Sequence, residues 1–242
     1  MSKVIKMEQG IHYQYEIADR PTFSYLKVLL KQGQEIKSEP QSMMFFEPTL
    51  ELRTQRAEGG FFKSLKRTFA GEKFFANVYY AHSDGWLALC PSFAGDIQHI
   101  AMQPGDSWIV FSGGYIASSM NLTQDTRFQG LGKGIMSQER LFTLNVVADQ
   151  GPGDLFVGAN GAFITWELQA GQILNVDNGH LVAMSSSVNM EFRAAGNLKT
   201  TLLSGEGFMA KLTGPGKVII QSRNPREFAM WLYRFMPKPS HN

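Results

Sequence analysis

Three glutamates recur at a regular spacing along the chain. Glu72, Glu139 and Glu206 are 67 residues apart, and each is followed two residues later by an apolar or aromatic pair. Equivalent positions in three repeated units could bring the carboxylates together around one axis, where like charges would raise a pKa or bind a cation. Repeated positions also preserve capping and hydrogen-bonding roles, and we favour this structural interpretation.

A basic stretch is the second candidate for chemistry. Its cationic side chains are interleaved with Phe61 and Phe62, an arrangement that could contact the phosphates of a nucleic acid. The candidate anion contacts are Arg53, Arg56, Lys63, Lys66 and Arg67. We favour a solvated linker with snorkelling side chains, because no equivalent basic cluster recurs at the matching positions of the sequence.

The C-terminal residues predict an amphipathic helix from about 225 to 236. Asn224 is a favourable N-cap, Pro225 suits the first helical position, and Glu227 stands at the capping-box position. An apolar stripe at spacings of i, i+3, i+4 and i+7 consists of Phe228, Trp231, Leu232 and Phe235. The stripe could contact a partner or a membrane surface, but we expect it to dock on the β-core or on a neighbouring subunit.

Other catalytic chemistry is poorly supported. The nearest approach to a phosphate-binding loop, residues 130–134, lacks the third glycine at the right offset and a following Ser or Thr. Cys90 precedes Pro91 in an apolar strand with no local base, so we expect a core thiol. The aspartate–histidine pairs lack the three or four convergent ligands of a metal site. We therefore predict no enzyme activity, no metal and no cofactor.

Composition indicates a soluble globular protein. The chain has 242 residues, of which 43% are hydrophobic and 18% charged, enough to bury a core. The formal net charge of +2 does not by itself imply a nucleic-acid or anionic-membrane partner. The single cysteine excludes an internal disulfide framework and fits the cytosol. No stretch approaches the roughly 20 apolar residues of a membrane span, and we predict a cytoplasmic protein.

An internal repeat organises the chain. Gly33, Gly105 and Gly171 each begin a Gly-Gln or Gly-Asp turn, followed ten residues later by an apolar pair. Alternating residues, as in 164–168, predict strands with one face in a core. Asn-Gly and Gly-Pro-Gly turns separate these strands. The predicted fold class is all-β, with three repeated β-sandwich units in pseudo-threefold symmetry.

The repeat also predicts the domain organisation. We expect one compact all-β domain over residues 1–222, followed by a C-terminal helix and tail over residues 223–242. A short helix at residues 59–67 would link the first two units.

The units themselves are predicted from the register of the motifs. The first spans about residues 1–70 and is completed by residues 205–222, because no further Gly-Gln or Gly-Asp turn follows the third glutamate motif. The others occupy residues 71–137 and 138–204. Such a closure would leave few free sheet edges.

A set of motifs in a fixed order carries a resemblance to a known family. They are Gly59-Gly60, Leu65-Lys66-Arg67, Ala70-Gly71-Glu72-Lys73-Phe74-Phe75, Pro91-Ser92-Phe93-Ala94-Gly95-Asp96-Ile97, Gly113-Gly114-Tyr115-Ile116-Ala117-Ser118-Ser119 and Gly205-Glu206-Gly207-Phe208 with Gly214-Pro215-Gly216.

From about residue 59 to residue 224 the chain resembles the bacterial branch of the altered-inheritance-of-mitochondria, or mitochondrial-biogenesis, family. The resemblance implies a TRAP-like β fold, similar to the subunit of the tryptophan RNA-binding attenuation protein but repeated three times in one chain. It carries over no catalytic residues, and the family's name records a phenotype in mitochondria.

Together these features predict a non-catalytic scaffold or binding protein, whose surface or C-terminal helix would engage a protein, a membrane or a small molecule. The alternative is RNA binding or binding of a small, tryptophan-like molecule, by analogy with TRAP-like folds. That analogy is weaker, because a fold does not transmit a function. An enzyme that uses the repeated carboxylates or loop histidines is the third hypothesis.

Overall fold

The computed structural model describes residues 7–54, 76–129, 141–194 and 208–237. Two N-terminal strands come first, β1 (Glu8–Gln9) and β2 (Gln14–Ala18). Six strands follow as the first segment: β3 (Tyr25–Leu30), β4 (Glu35–Ser38), β5 (Met43–Phe46), β6 (Leu50–Thr54), β7 (Asn77–Ala81) and β8 (Gly85–Leu89).

The second segment also has six strands: β9 (Ile97–Met102), β10 (Ser107–Phe111), β11 (Tyr115–Ser119), β12 (Thr123–Gln129), β13 (Leu141–Val147) and β14 (Gly153–Gly158). The third has β15 (Phe163–Leu168), β16 (Ile173–Asp177), β17 (Leu181–Ser185), β18 (Asn189–Ala194), β19 (Phe208–Thr213) and β20 (Gly216–Gln221), with a 3-10 turn at Asn178–His180. The predicted all-β class is confirmed.

Four antiparallel sheets contain these strands. Their orders are β1-β2-β3-β8-β5, β6-β7-β4-β11-β14-β9, β12-β13-β10-β17-β20-β15 and β16-β19-β18. Each segment therefore contributes to two sheets, as expected of β-sandwich units. The two six-stranded sheets each join half of one segment to half of the next, through the pairs β4·β11 and β10·β17.

The same pairings recur in the three segments. In each, the sixth strand pairs with the first and third, and the fifth with the second and fourth. The register also shifts at matching places, between Met43 and Phe45 in β5, between Tyr115 and Ala117 in β11, and in β17. Such shifts mark β-bulges, which bend a strand locally. Pseudo-threefold symmetry as such stays a prediction.

Strand pairing corrects the predicted unit boundaries. β19 and β20 pair with strands of the third segment and do not complete the N-terminal unit in the part of the chain described; β7 and β8 occupy that place. Leu212 and Val218 share a buried cluster with Leu168 and Leu181, so their apolar faces belong to the third segment. Within the described ranges each sheet ends in strands paired on one side, and the predicted closure is not formed there.

The core follows from the alternation of the strands. In β3, Leu26, Val28 and Leu30 are fully buried while the residues between them are partly exposed. This is the period of two that places one face of a sheet against a core. β11 is buried along its whole length, because it has a paired strand on each side and lies between the first and second segments.

The three segments meet where their first strands begin. Phe23, Gly95 and Gly161 each lie two residues before the first strand of a segment, and parallel bridges join Phe23 to Gly95 and Gly95 to Gly161. A Cβ atom on Gly95 would overlap the carbonyl oxygen of Ala159. Only glycine allows this close approach of two backbones.

The C-terminal helix, α1 (Pro225–Tyr233), begins where the sequence predicts and ends three residues before the predicted position. The side chain of Asn224 accepts a hydrogen bond from the backbone N–H of Arg226. None of the described helices combines the length and apolar character needed to cross a bilayer. The predicted linker helix at residues 59–67 lies outside the described residues.

Candidate binding site

Most of the charged candidates lie outside the described residues. These are Glu72, Glu139, Glu206, Arg56, Lys63, Lys66 and Arg67. Of the candidate anion contacts, Arg53 on β6 is described.

Arg53 is held by two carboxylates. Its Nη1 donates to Glu35 Oε1 at 3.0 Å and its Nε donates to Glu51 Oε2 at 3.1 Å. The guanidinium also lies 3.8 Å from the centre of the Tyr80 ring. Because the neighbouring charges are negative, this position does not favour the binding of an anion.

The apolar stripe of α1 is exposed. Phe228 is 48%, Trp231 54% and Phe235 69% accessible, and no residue of the helix is buried. The stripe is therefore not buried against the β-core, and its docking on a neighbouring subunit stays a prediction. The helix starts at the end of the third segment, where Asn224 is buried.

The aromatic rings of the stripe form a continuous row. Phe93, in the loop before β9, contacts Phe228 edge-to-face with the ring centres 6.0 Å apart. Phe228 stacks on Trp231 at 5.9 Å, and Trp231 contacts Phe235 at 5.0 Å. We call Phe93, Phe228, Trp231, Leu232 and Phe235 the aromatic surface.

Asp96 and His99, one of the aspartate–histidine pairs of the sequence, have separate partners. Asp96 binds Arg20 and Ser24, whereas His99 binds Asp154. Among the described residues, no group of three or more His, Cys, Asp or Glu side chains could hold a metal ion.

Asp154 organises a groove between the first and second segments. Its Oδ1 accepts the backbone N–H of Ile11 at 2.7 Å, and its Oδ2 accepts that of His12 at 2.7 Å. His99 Nε2 donates to Oδ1 at 2.7 Å. These contacts hold residues 10–18 in the groove. We call these residues the N-terminal segment and the groove the first groove.

Aromatic packing also holds the N-terminal segment in the first groove. The Tyr15 ring lies 4.8 Å from His99 and 5.1 Å from Phe156, measured between ring centres. The Tyr13 hydroxyl donates to the carbonyl of Glu35. Burial raises the pKa of both tyrosines, so each phenol stays neutral.

The carboxylate of Asp154 is charged although its side chain is fully buried. Burial raises its pKa, but the hydrogen bonds from His99 and from the backbone of His12 and Ile11 outweigh that effect and hold the pKa below its usual value. A buried carboxylate with three donors is a strong acceptor site. The first groove therefore binds its strand through a fixed negative charge.

A second groove lies between the second and third segments. It is a cavity of about 710 Å³, within the range of about 300–1,000 Å³ found for ligand sites. Its walls are the edge of β9, the turn before β10, the first residues after β17, and parts of β15 and β20. Its lining includes Ile100, Asp106, Trp108, Ser186, Lys217 and Ile219.

Neither groove is among the sequence-based candidates. The signal for the first was an aspartate in the otherwise apolar β14, since charged residues are seldom buried without partners. Its partners Ile11 and His12 are more than 140 residues away in the chain. Motif spacing does not predict such contacts.

Comparisons with known proteins agree with this architecture. The chain is similar, with 26% identity over 227 residues covering 90% of this chain and 89% of the other, to an uncharacterized protein of Streptococcus pyogenes serotype M6. Its fold is similar to the crystal structure of a Streptococcus pyogenes protein, with a TM-score of 0.77, 23% identity, and coverage of 93% of this chain and 100% of that one. The model of the mitochondrial biogenesis AIM24 family matches residues 15–223, and the chain belongs to this family.

Proposed function

We propose that this protein is a non-catalytic binding protein that docks on an anionic membrane surface through its aromatic surface. The observation that carries the proposal is the exposure of Phe228 and Trp231 on α1 and of Phe235 in the turn that follows it, each about half accessible or more. Contiguous exposed apolar patches of this kind usually mark interaction sites.

The composition of α1 favours a membrane as the partner. At about 100° per residue, Phe228, Trp231 and Leu232 share one side of the helix and Arg226 lies on the other, while Arg234 caps the end of the helix. Aromatic side chains bury in the boundary between headgroups and acyl chains, while arginines bind anionic headgroups. Each basic residue near such a surface contributes about 1 kcal/mol.

Vesicle flotation tests the proposal. The full-length protein is mixed with vesicles of phosphatidylcholine, with or without phosphatidylglycerol, and the protein that floats with the lipid is measured. We expect binding that needs phosphatidylglycerol and weakens with salt. Trp231→Ala should reduce it strongly, whereas Tyr233→Ala, at a more exposed aromatic on the side of the helix away from Phe228 and Trp231, should have little effect.

Three results would contradict membrane docking: no flotation of the wild-type protein, equal losses for the two variants, or a solution dimer that Trp231→Ala converts to a monomer. The last would assign the aromatic surface to a second copy of the chain. Sedimentation velocity without lipid measures it.

The proposal also covers architecture and location. Three TRAP-like units about a pseudo-threefold axis are supported by the recurring pairings and bulges, and superposition of the three segments in a crystal structure is the test. A cytoplasmic location is supported by the single cysteine, Cys90.

A further inference from the structure

We infer that the second groove binds an extended peptide segment of another protein, which pairs antiparallel with β9 and carries an acidic residue facing Lys217 and a basic residue facing Asp106. The inference does not depend on membrane docking. It rests on a correspondence between the two grooves, one of which the chain fills with its own N-terminal segment.

Cross-strand pairs establish the correspondence. In the first groove, Phe156 pairs with His99 and Asp154 with Ala101. In the second, Ile219 pairs with Thr165 and Lys217 with Glu167, at the same steps along β20 and β15. The residues that seat the N-terminal segment therefore have counterparts that line the second groove.

The turns at the two grooves correspond as well. The backbone N–H of Gly33 donates to Ala81 and that of Gly105 donates to Ala148. The next residue in each turn, Gln34 or Asp106, accepts from a backbone N–H three residues earlier. Asp106 therefore stands where Gln34 stands in the first groove.

The edge of β9 is open to a further strand. β3, its counterpart, pairs with β8 on one side and with β2 of the N-terminal segment on the other. In the described part of the chain β9 pairs with β14 alone. An unpaired edge beside a cavity is the arrangement by which proteins bind extended peptides as an added strand.

The interior of the second groove favours large apolar side chains at alternate positions. In the first groove, Tyr13 and Tyr15 point inward and are buried. In the second, Ile100, Trp108 and Ile219 supply apolar surface at the cavity wall. Side chains two residues apart on a strand share one face, so alternate apolar residues of a bound strand would contact these groups.

The polar anchors are reversed between the grooves. Asp154 accepts backbone N–H groups, whereas Lys217 can only donate. Gln34 Nε2 donates to the carbonyl of His12 at 3.0 Å, whereas Asp106 can only accept. The chain's own N-terminal sequence therefore suits the first groove alone. A segment bound in the second groove must present an acceptor to Lys217 and a donor to Asp106.

Two labelled peptides test this inference by fluorescence anisotropy with the full-length protein. The native peptide has the sequence of residues 10–18, and the exchanged peptide carries Ile11→Asp and His12→Lys in that sequence. We expect the wild-type protein to bind the exchanged peptide about tenfold more tightly than the native one, the factor typical of one charge-assisted hydrogen bond. The double variant Lys217→Asp, Asp106→Asn should reverse this preference.

Hydrogen exchange then locates the bound peptide. Protection of the amides of residues 98–101 supports the inference. Loss of protection in residues 14–18 instead would mean that the peptide displaces the N-terminal segment from the first groove, and would overturn it. Absence of saturable binding by both peptides, or a preference that the double variant does not change, would also overturn it.

Two further variants keep the test specific. Ser186→Trp places a large side chain in the cavity and should abolish binding while Lys217 and Asp106 are kept, and its thermal unfolding shows whether the fold is kept. Trp231→Ala should leave peptide binding unchanged, which separates this site from the aromatic surface.

Discussion

Asp154 on β14 and His99 on the neighbouring β9 share a hydrogen bond of 2.7 Å, and the same carboxylate holds the backbone of Ile11 and His12. One buried charge thus joins the second segment to the N-terminal segment. Removal of one partner from such a network leaves the others unsatisfied in a dry environment, which is costly.

Asp154→Ala should release the N-terminal segment. We expect a loss of about 2–4 kcal/mol in the free energy of unfolding, because two backbone N–H groups and the His99 ring lose their acceptor. Hydrogen exchange should show faster exchange across β2. Asp84→Asn, at an exposed carboxylate, is the control and should change stability by less than about 0.5 kcal/mol. Unchanged protection of β2 in the alanine variant would contradict the anchoring role.

Glu39 should make stability depend on pH. Burial raises its pKa to about 7, against 4.5 for an ordinary glutamate. The folded state therefore binds the proton more tightly, and its contribution is present below pH 4.5 and lost as the pH rises to 7. Glu39→Gln should be more stable than wild type by about 1–3 kcal/mol at pH 8 and equal to it at pH 4.5.

Urea unfolding at the two pH values measures this effect. Glu47→Gln, at an exposed glutamate, should keep the pH dependence of the wild-type protein. A Glu39→Gln variant with the wild-type pH dependence would show that the carboxyl of Glu39 does not titrate in this range.

Loss of Asp96 should lower the free energy of unfolding more than loss of Arg20, although the two side chains form one ion pair. Arg20 donates twice to Asp96, at 3.0 Å and 2.9 Å, and Asp96 also accepts from Ser24 and from the backbone of Ile97. The side chain of Asp96 is 7% exposed and that of Arg20 47%. We expect Asp96→Ala to cost about 2–4 kcal/mol, because the buried Ser24 hydroxyl and Ile97 N–H lose their acceptor. Arg20→Ala should cost about 1 kcal/mol or less, because the Asp96 carboxylate keeps these two donors and the arginine is half-exposed. Equal losses in thermal unfolding of the two variants would contradict this assignment.

Gly95 and Gly33 should respond differently to alanine. A Cβ on Gly95 overlaps the carbonyl of Ala159, so Gly95→Ala should push two segments apart and cost more than about 2 kcal/mol. Gly33 has open space around it but a φ of +81°, so Gly33→Ala should cost only about 1 kcal/mol from backbone strain. Denaturant midpoints compare the two. A smaller effect at Gly95 than at Gly33 would refute the close packing of the backbones.

Local features were predictable because local chemistry determines them. The alternation at residues 164–168 corresponds to β15, and the signals at Asn224, Pro225 and Glu227 mark the start of α1. The predicted buried face of that strand is wrong, because Ile164 and Trp166 are exposed and only Leu168 is buried. A helix start needs only a cap and a few residues, whereas the burial of a strand face needs a second layer packed against it. The exposure of the Trp231 face was not predictable, because amphipathic spacing is the same whether a helix docks on its own core or faces outward.

The sequence by itself determined the β-rich fold class, the three recurring turns and the amphipathic character of the C-terminal helix. Only the tertiary structure decided that β19 and β20 pair within the third segment, that Asp154 anchors Ile11 and His12, and that Lys217 takes the corresponding place in an open groove. The physical reason is that periodicity sets which face of a strand is apolar. Which distant strand lies beside it depends on how the whole chain packs.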